Sequence, residues 1–183
     1  MFDYFPEASH KLNSPLIFSH MDFHRANRLV SIKTLPNGNL KKNIHFIDFD
    51  TSRYSYRGFD FGAFFTSYLQ ENEVKKVATN FATDEQMLKL IEIYRQECAS
   101  IKGKSYLLDE SNSSQKILQE TKFFIIYYYF LFDHFSLSMY CQNPKRDKNR
   151  DFFRRVINRN SLVTELKIQY KKHGILPDIG IDI

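Results

Sequence analysis

The sequence predicts an α+β fold with a β-rich first third and a mainly helical remainder. Before residue 50, apolar residues come in short runs of strand length, and an Asn-Gly pair separates two of these runs. From residue 61 onward, apolar residues recur at spacings of three and four, which is the repeat of one helix face. The chain has 183 residues, 43% hydrophobic and 26% charged, which fits one domain and excludes a disordered, collagen-like or coiled-coil protein.

Three strands and a hairpin are expected in the first third. Residues 16–18 follow Ser14-Pro15 and form an apolar run, which predicts a short buried strand. Residues 29–32 and 44–47 are two further β-rich runs. The segment between them, residues 36–39, reads Pro-Asn-Gly-Asn, and Asn-Gly accepts the positive φ angles of a hairpin turn. The second and third strands are therefore expected to pair.

The remainder divides into a helical core and a basic tail. We expect one domain with three parts: residues 14–60 with the strands and loops, 61–142 with the helical core, and 143–183 with the tail. Thr83, with Gln86 at capping-box spacing, predicts the start of one core helix. Residues 103–114 are polar and predict a surface loop, and 115–142 predict a long, mostly buried helix. A last amphipathic helix is expected over residues 151–172.

Charge and cysteine content limit the choice of partners and compartment. The net charge is +5, and residues 141–183 contain ten Lys or Arg against five Asp or Glu. Acidic residues are interleaved there, so a solvated helix face is favoured over a surface for nucleic acid or anionic lipid. The longest apolar run, residues 123–132, is far shorter than the roughly 20 residues of a membrane span. Cys98 and Cys141 form no disulfide framework, so we expect a cytoplasmic protein.

Three polar side chains follow the predicted strands. Asp22 comes after the first strand, Asn27 lies five residues later, and Asp48 follows the third strand. Phosphoryl transfer from ATP uses one carboxylate to orient or deprotonate the acceptor hydroxyl, and an amide oxygen with a second carboxylate to hold Mg²⁺. The D-x-x-x-x-N pattern alone is common in turns. Its combination with two apolar strands and a hairpin predicts a kinase.

Three motifs carry a resemblance to a known family. Residues 18–27, FSHMDFHRAN, resemble the phosphotransferase loop of choline and ethanolamine kinases. Residues 46–50, FIDFD, are similar to the metal-binding segment of that family, and residues 54–62, YSYRGFDFG, contain its characteristic Y-R-G-F-D-x-G run. The sequence departs from the family at Met21, which replaces an Asn, and at Arg28, where an apolar residue is common.

The resemblance implies a role for each polar residue of these motifs. Asp22 matches the catalytic base. Asn27 and Asp48 match the ligands of Mg²⁺, which accompanies ATP, the co-substrate. Asp60 matches a residue that supports the catalytic loop from beneath through hydrogen bonds, and His20 holds the same loop.

Arg57 and three aromatic residues have two interpretations each. Arg57 either pairs with a nearby carboxylate, which the sequence does not identify, or forms a surface salt bridge. Tyr68, Phe132 and Phe135 either belong to the core or line the pocket for a cationic headgroup, since aromatic faces attract ammonium ions. Phe132 and Phe135 align with a Trp pair of the family, and Phe is the weaker partner for a cation.

The resemblance also implies which reaction and which part of the fold to expect. It implies transfer of the γ-phosphoryl group of ATP to the hydroxyl of ethanolamine or choline, in phosphatidylethanolamine or phosphatidylcholine biosynthesis. Kinase-like folds have two lobes, and the residues before Asp22 contain no Gly for a phosphate-binding loop. We therefore expect the C-terminal lobe alone, from a fragment or a truncated relative. The alternative is a catalytically impaired lobe that binds a partner. A C-terminal lobe alone would expose the apolar surface that normally meets the other lobe, and this surface favours homo- or hetero-oligomers.

Overall fold

The computed structural model describes residues 10, 12–68, 82–142, 164 and 168. These residues form both strands and α-helices, which confirms the prediction of mixed α and β structure. The predicted helix at 151–172 and almost all of the basic tail lie outside the described residues. The elements in chain order are β1 (Leu16–Ser19), β2 (Arg28–Thr34), β3 (Leu40–Phe46), β4 (Arg53–Tyr56), α1 (Gly58–Thr66), α2 (Asp84–Lys102) and α3 (Ser114–Gln142).

The strands form two separate antiparallel pairs. β2 pairs with β3 as the predicted hairpin, and Gly38 in its turn has a φ of +81°. β1 pairs with β4, with Leu16 opposite Tyr56 and Ser19 opposite Arg53. β4 was not predicted from the sequence, because its four residues are polar or aromatic and show no apolar run.

The prediction that the first strand is buried is wrong. Leu16 and Phe18 are 64% and 61% exposed, whereas Ser19 is fully buried and Ile17 is half-buried. Successive side chains of a strand point to opposite faces. On the exposed face of the β1–β4 pair, the Phe18 ring contacts the Tyr54 ring edge-on.

The hairpin also has an exposed apolar face. Its pairing places Val30 opposite Ile44 and Arg28 opposite Phe46, so alternate residues of both strands share one side. That side has five exposed apolar residues. They are Val30, Ile32, Leu40, Ile44 and Phe46. Lys42, opposite Ile32, shares this side with them, and an exposed apolar patch with polar residues at its edge is typical of an interaction surface.

The core lies among the helices instead. α1 packs on α3 through Gly58 and Gly62, which are four residues apart and face the same helix. A Cβ on Gly62 would lie 2.6 Å from the backbone carbon of Phe124, so only glycine permits this approach. The buried apolar side chains come from all three helices, and the largest are Phe65, Met87, Ile91, Ile117, Phe123, Phe124 and Ile125.

Local sequence signals predicted the starts of α2 and α3 but not the start of α1 or the turns between α2 and α3. Thr83 and Gln86 form the predicted capping box of α2, and α3 begins at Ser114. α1 begins at Gly58, before the apolar repeat becomes visible. The expected surface loop between α2 and α3 contains two 3₁₀ turns, Lys104–Leu107 and Glu110–Asn112, and Asn112 is buried. Among the described residues, every helix is too short or too polar to cross a bilayer.

Candidate active site

The loop between β1 and β2 is held from below by Asp60. Asp60 lies in the first turn of α1, and its carboxylate accepts hydrogen bonds from the backbone N–H groups of His20 (2.7 Å) and Met21 (2.9 Å). Burial raises the pKa of Asp60, and the two backbone hydrogen bonds offset only part of this effect. This carboxylate fixes the backbone immediately before Asp22.

His20 connects this loop to the segment that follows β3. Its ring nitrogen Nε2 lies 2.9 Å from the carbonyl oxygen of Ile47, and its ring lies 4.6 Å from that of Phe49. The carbonyl oxygen of His20 accepts hydrogen bonds from the hydroxyls of Thr51 and Ser52. The residues on both sides of Asp48 therefore contact a residue two positions before Asp22.

Asn27 is oriented by Asp22. The Nδ2 amide of Asn27 donates to the backbone oxygen and to Oδ2 of Asp22, at 3.0 Å each. Both hydrogen bonds that the buried amide nitrogen donates go to Asp22, so the amide oxygen is available to another partner. His24 also lies at this carboxylate, with Nε2 3.3 Å from Oδ2.

Asp48 lies directly after β3 in a left-handed backbone conformation, with a φ of +66°. The backbone N–H of Ile47 donates to the carbonyl of Asn27, so this segment starts beside the loop. Asp48 is exposed. Non-glycine residues at positive φ are uncommon, and such strain concentrates at functional sites.

The candidate metal ligands carry oxygens that suit a hard cation. Asn27 has an amide oxygen and Asp48 a carboxylate, the ligand types that Mg²⁺ takes in phosphoryl-transfer sites. Within the part of the chain that is described, no three or more His, Cys, Asp or Glu residues cluster as a metal site. The candidate ligand set therefore depends on the amide of Asn27 together with the carboxylate of Asp48.

Arg57 is buried, so the interpretation as a surface salt bridge is wrong. Its guanidinium donates to both carboxylate oxygens of Glu120 on α3, at 3.0 Å and 2.8 Å. Further hydrogen bonds go to the side chain of Asn112 and the carbonyl of Ser111, and Ser14 donates to Glu120. Burial alone lowers the pKa of Arg57, but the hydrogen bond and charge of Glu120 outweigh it and raise that pKa.

Comparison with known proteins agrees with these motifs. The family model described as choline/ethanolamine kinase matches residues 1–164. The chain belongs to the choline/ethanolamine kinase family. A human protein named choline/ethanolamine kinase is 30% identical over 128 residues, which are 67% of this chain and 30% of the human protein. A mouse protein of the same name is 32% identical over 90 residues, 46% of this chain and 22% of the mouse protein.

The chain thus spans less than a third of the length of these two relatives. The name choline/ethanolamine kinase belongs to these relatives. This chain shares their family. The matched region includes the loop with Asp22, the hairpin, the Asp48 segment and helices α1 to α3.

The three aromatic pocket candidates occupy different surroundings. Tyr68 is half-buried, and its ring packs against those of Phe64 and Phe65. Phe132 and Phe135 on α3 are 40% and 63% exposed, so the interpretation as core residues does not describe them.

Two residues of α3 near the candidate site were not predicted from the sequence. Glu120 is the buried partner of Arg57, and its signal was a single acid before the long apolar run. Tyr128 donates its hydroxyl hydrogen bond to Oδ1 of Asp22 at 3.2 Å. Its signal was the row of three tyrosines, residues 127–129, within that run. Both contacts join residues far apart in the sequence, so no local pattern pairs them.

Proposed function

We propose that this chain provides the acceptor-binding and base-bearing part of a kinase that phosphorylates a small amino alcohol, ethanolamine or choline. One observation carries the proposal: the carboxylate of Asp22 is directed by Asn27 and His24 in a loop that contacts both neighbours of Asp48. Because the family is one of kinases, phosphoryl transfer is the reaction class that we propose for this arrangement.

Asp22 acts as the base in the proposed reaction. Its side chain is 36% exposed, so a small alcohol can reach it. The acceptor hydroxyl donates its hydrogen bond to the carboxylate and gives up its proton there as the new bond from oxygen to the γ-phosphorus forms. The bond between the γ-phosphorus and the oxygen of ADP breaks in the same step. A positioned base of this kind contributes roughly 10²–10⁴ in rate.

Asn27 and Asp48 would hold Mg²⁺ with ATP. The amide oxygen of Asn27 is left for this role because its nitrogen is bound to Asp22. When bound, the metal ion neutralises the charge that develops on the phosphate oxygens. Asp60 binds the backbone N–H of His20, and the His20 ring lies at hydrogen-bond distance from the carbonyl of Ile47, next to Asp48. These contacts hold the segment of Asn27 and the segment of Asp48 together.

The remaining parts of the reaction are inferred from the relatives. Because the chain spans less than a third of their length, we propose that the kinase uses further residues to grip the nucleotide. The exposed apolar face of the hairpin supports association of this region with another domain or chain.

The test is ATP consumption with ethanolamine and with choline, measured on the chain joined to any upstream coding sequence and on the chain alone. We expect turnover of at least one alcohol, and a loss of about 10²-fold or more in Asp22→Ala. Glu97→Ala, an exposed acid on α2, is the matched control and should keep full activity. Turnover that is equal in wild type and Asp22→Ala, or absent from both, contradicts the proposal.

A further inference from the structure

The apolar side of the β2–β3 hairpin stays open in the folded chain. Its five apolar side chains, Val30, Ile32, Leu40, Ile44 and Phe46, are between 45% and 62% exposed. A two-stranded hairpin is marginally stable at best in water, and the apolar face of a sheet is normally buried against another layer of structure. This side of the hairpin therefore needs a covering partner.

The charges along the apolar side are all positive. The register places Arg28 opposite Phe46 and Lys42 opposite Ile32, so both cations share this side with the apolar residues. The ion pairs among the described residues involve neither Arg28 nor Lys42. Two copies of this side facing each other would bring together two cations from each copy and no acid. The charges therefore favour an acidic partner over a second copy of the chain.

One end of the apolar side is held against α1. The guanidinium of Arg28 lies 4.5 Å from the centre of the Phe64 ring. The ring of Phe46 packs on that of Phe23, which in turn stacks on Phe64. Burial, together with the nearby charge of Arg25, lowers the pKa of Arg28. Arg28 is thus fixed in place without a described counter-charge, which preorganises it for a carboxylate from outside.

The dimensions of the apolar side fit one helix. Two strands about 4.8 Å apart, with their side chains, are about as wide as a helix of about 10–12 Å diameter. From Arg28 to Thr34 the strand extends about 20 Å, the length of about 13 helical residues. Arg28 and the Lys42 position lie about 13 Å apart along the strands, which corresponds to acidic residues about two turns apart on a helix.

We propose that the apolar side of the hairpin binds an acidic amphipathic helix of a partner protein. The apolar stripe of that helix packs on Val30, Ile32 and Ile44, and its acidic residues meet Arg28 at one end and Lys42 near the other. The inference rests on the association that the proposed function includes for the hairpin, and it does not depend on catalysis by Asp22.

The test compares two synthetic peptides of about 18 residues, long enough to form a helix. Both have Leu at the spacing of one helix face. The acidic peptide has Glu along the borders of this stripe, and the lysine peptide has Lys at the same positions. Binding to the whole chain is measured by fluorescence anisotropy. The acidic peptide should bind at least about tenfold more tightly, because its charges oppose those of the apolar side.

Two neighbouring lysines of β3 provide a matched pair of variants. Lys41 and Lys42 are both exposed but point to opposite sides of the hairpin, so Lys41→Glu and Lys42→Glu make the same charge change on different faces. Lys42→Glu should reduce the preference for the acidic peptide about tenfold, since it weakens that peptide and strengthens the lysine peptide. Lys41→Glu should change the preference less than about twofold at physiological salt. Ile44→Thr should weaken the binding of both peptides.

Three results would overturn the inference. The first is equal binding of the two peptides, or equal effects of Lys41→Glu and Lys42→Glu. The second is dimerisation of the chain in sedimentation that Ile44→Thr abolishes, which would make a second copy the occupant. The third is binding to vesicles of equimolar phosphatidylcholine and phosphatidylserine that displaces the acidic peptide, which would make the occupant a membrane. None of these measurements involves turnover, so failure here leaves the catalytic proposal standing, and absent turnover leaves this inference standing.

Discussion

The strand region, residues 14–57, and the helical region of α1 to α3 are stabilised in different ways. The helices interlock through close glycine contacts and bury a continuous aromatic and aliphatic core. The strands form two separate pairs whose outer faces leave large apolar side chains exposed. The candidate catalytic loop belongs to the strand region, yet its backbone is bound by Asp60 of α1. The loop therefore takes its position from the helical region.

Arg57 and Glu120 form the main polar link between the two regions. Arg57 follows β4, its backbone N–H donates to Pro15, and its side chain binds Glu120 on α3. Ser14 donates to the same carboxylate. The β1–β4 pair is thus attached to α3 by a buried ion pair, whereas α1 and α3 meet through apolar contacts.

Breaking this link should have the largest effect on stability. Arg57→Met leaves the buried carboxylate of Glu120 without its cation, and we expect a loss of about 3–5 kcal/mol in the free energy of unfolding. Urea unfolding measures it. Lys89→Met, which breaks an exposed pair with Glu85 on α2, is the control and should change stability little. Equal effects of the two substitutions would contradict a structural role for the buried pair.

The glycine contact of the helical region predicts a graded effect. In Gly62→Ala the new methyl group would meet backbone atoms of Phe124 and Ile125 within 3 Å, so the helices must separate. We expect a loss of about 1–3 kcal/mol. In Gly58→Ala the nearest atom is a side-chain ring carbon of Phe124, and the nearest backbone atom, of Glu120, lies 3.1 Å away, so less backbone must shift and the loss should be smaller. Thermal unfolding of both variants tests this order, and the reverse order would contradict the packing described.

The smallest expected effect is a gain in the strand region. Met21 has a φ of +69°, a conformation that costs most residues about 1–2 kcal/mol and that Asn adopts readily. Met21→Asn should raise stability by up to about 1 kcal/mol, because the lost apolar contacts of the half-buried side chain offset part of the relief. Met21→Leu keeps the strain and should give no gain in melting temperature. A gain in Met21→Leu that equals the gain in Met21→Asn would rule out strain as the cause.

Patterns that span a few residues were predictable from the sequence. The hairpin turn around Gly38, the capping box of Thr83 and Gln86, and the extent of α3 are all encoded within a short stretch of chain. The candidate base and ligands were also located this way, because Asp22, Asn27 and Asp48 lie at the ends of recognisable strands. Local φ and ψ preferences and the period of apolar residues are enough for such features.

The tertiary structure decided the partners of those residues. The burial of Arg57 against Glu120, the exposure of Leu16 and Phe18, and the contact of Tyr128 with Asp22 all depend on which elements meet. Their sequence separations reach 106 positions, and the same residue types would serve equally well on a surface or in a core. By itself the sequence determined most of the elements, with β4 as an exception, together with the family and the candidate chemistry. The packing of α3 against α1 and the loop determined which side chains surround the base, because such contacts exist only once distant segments are packed together.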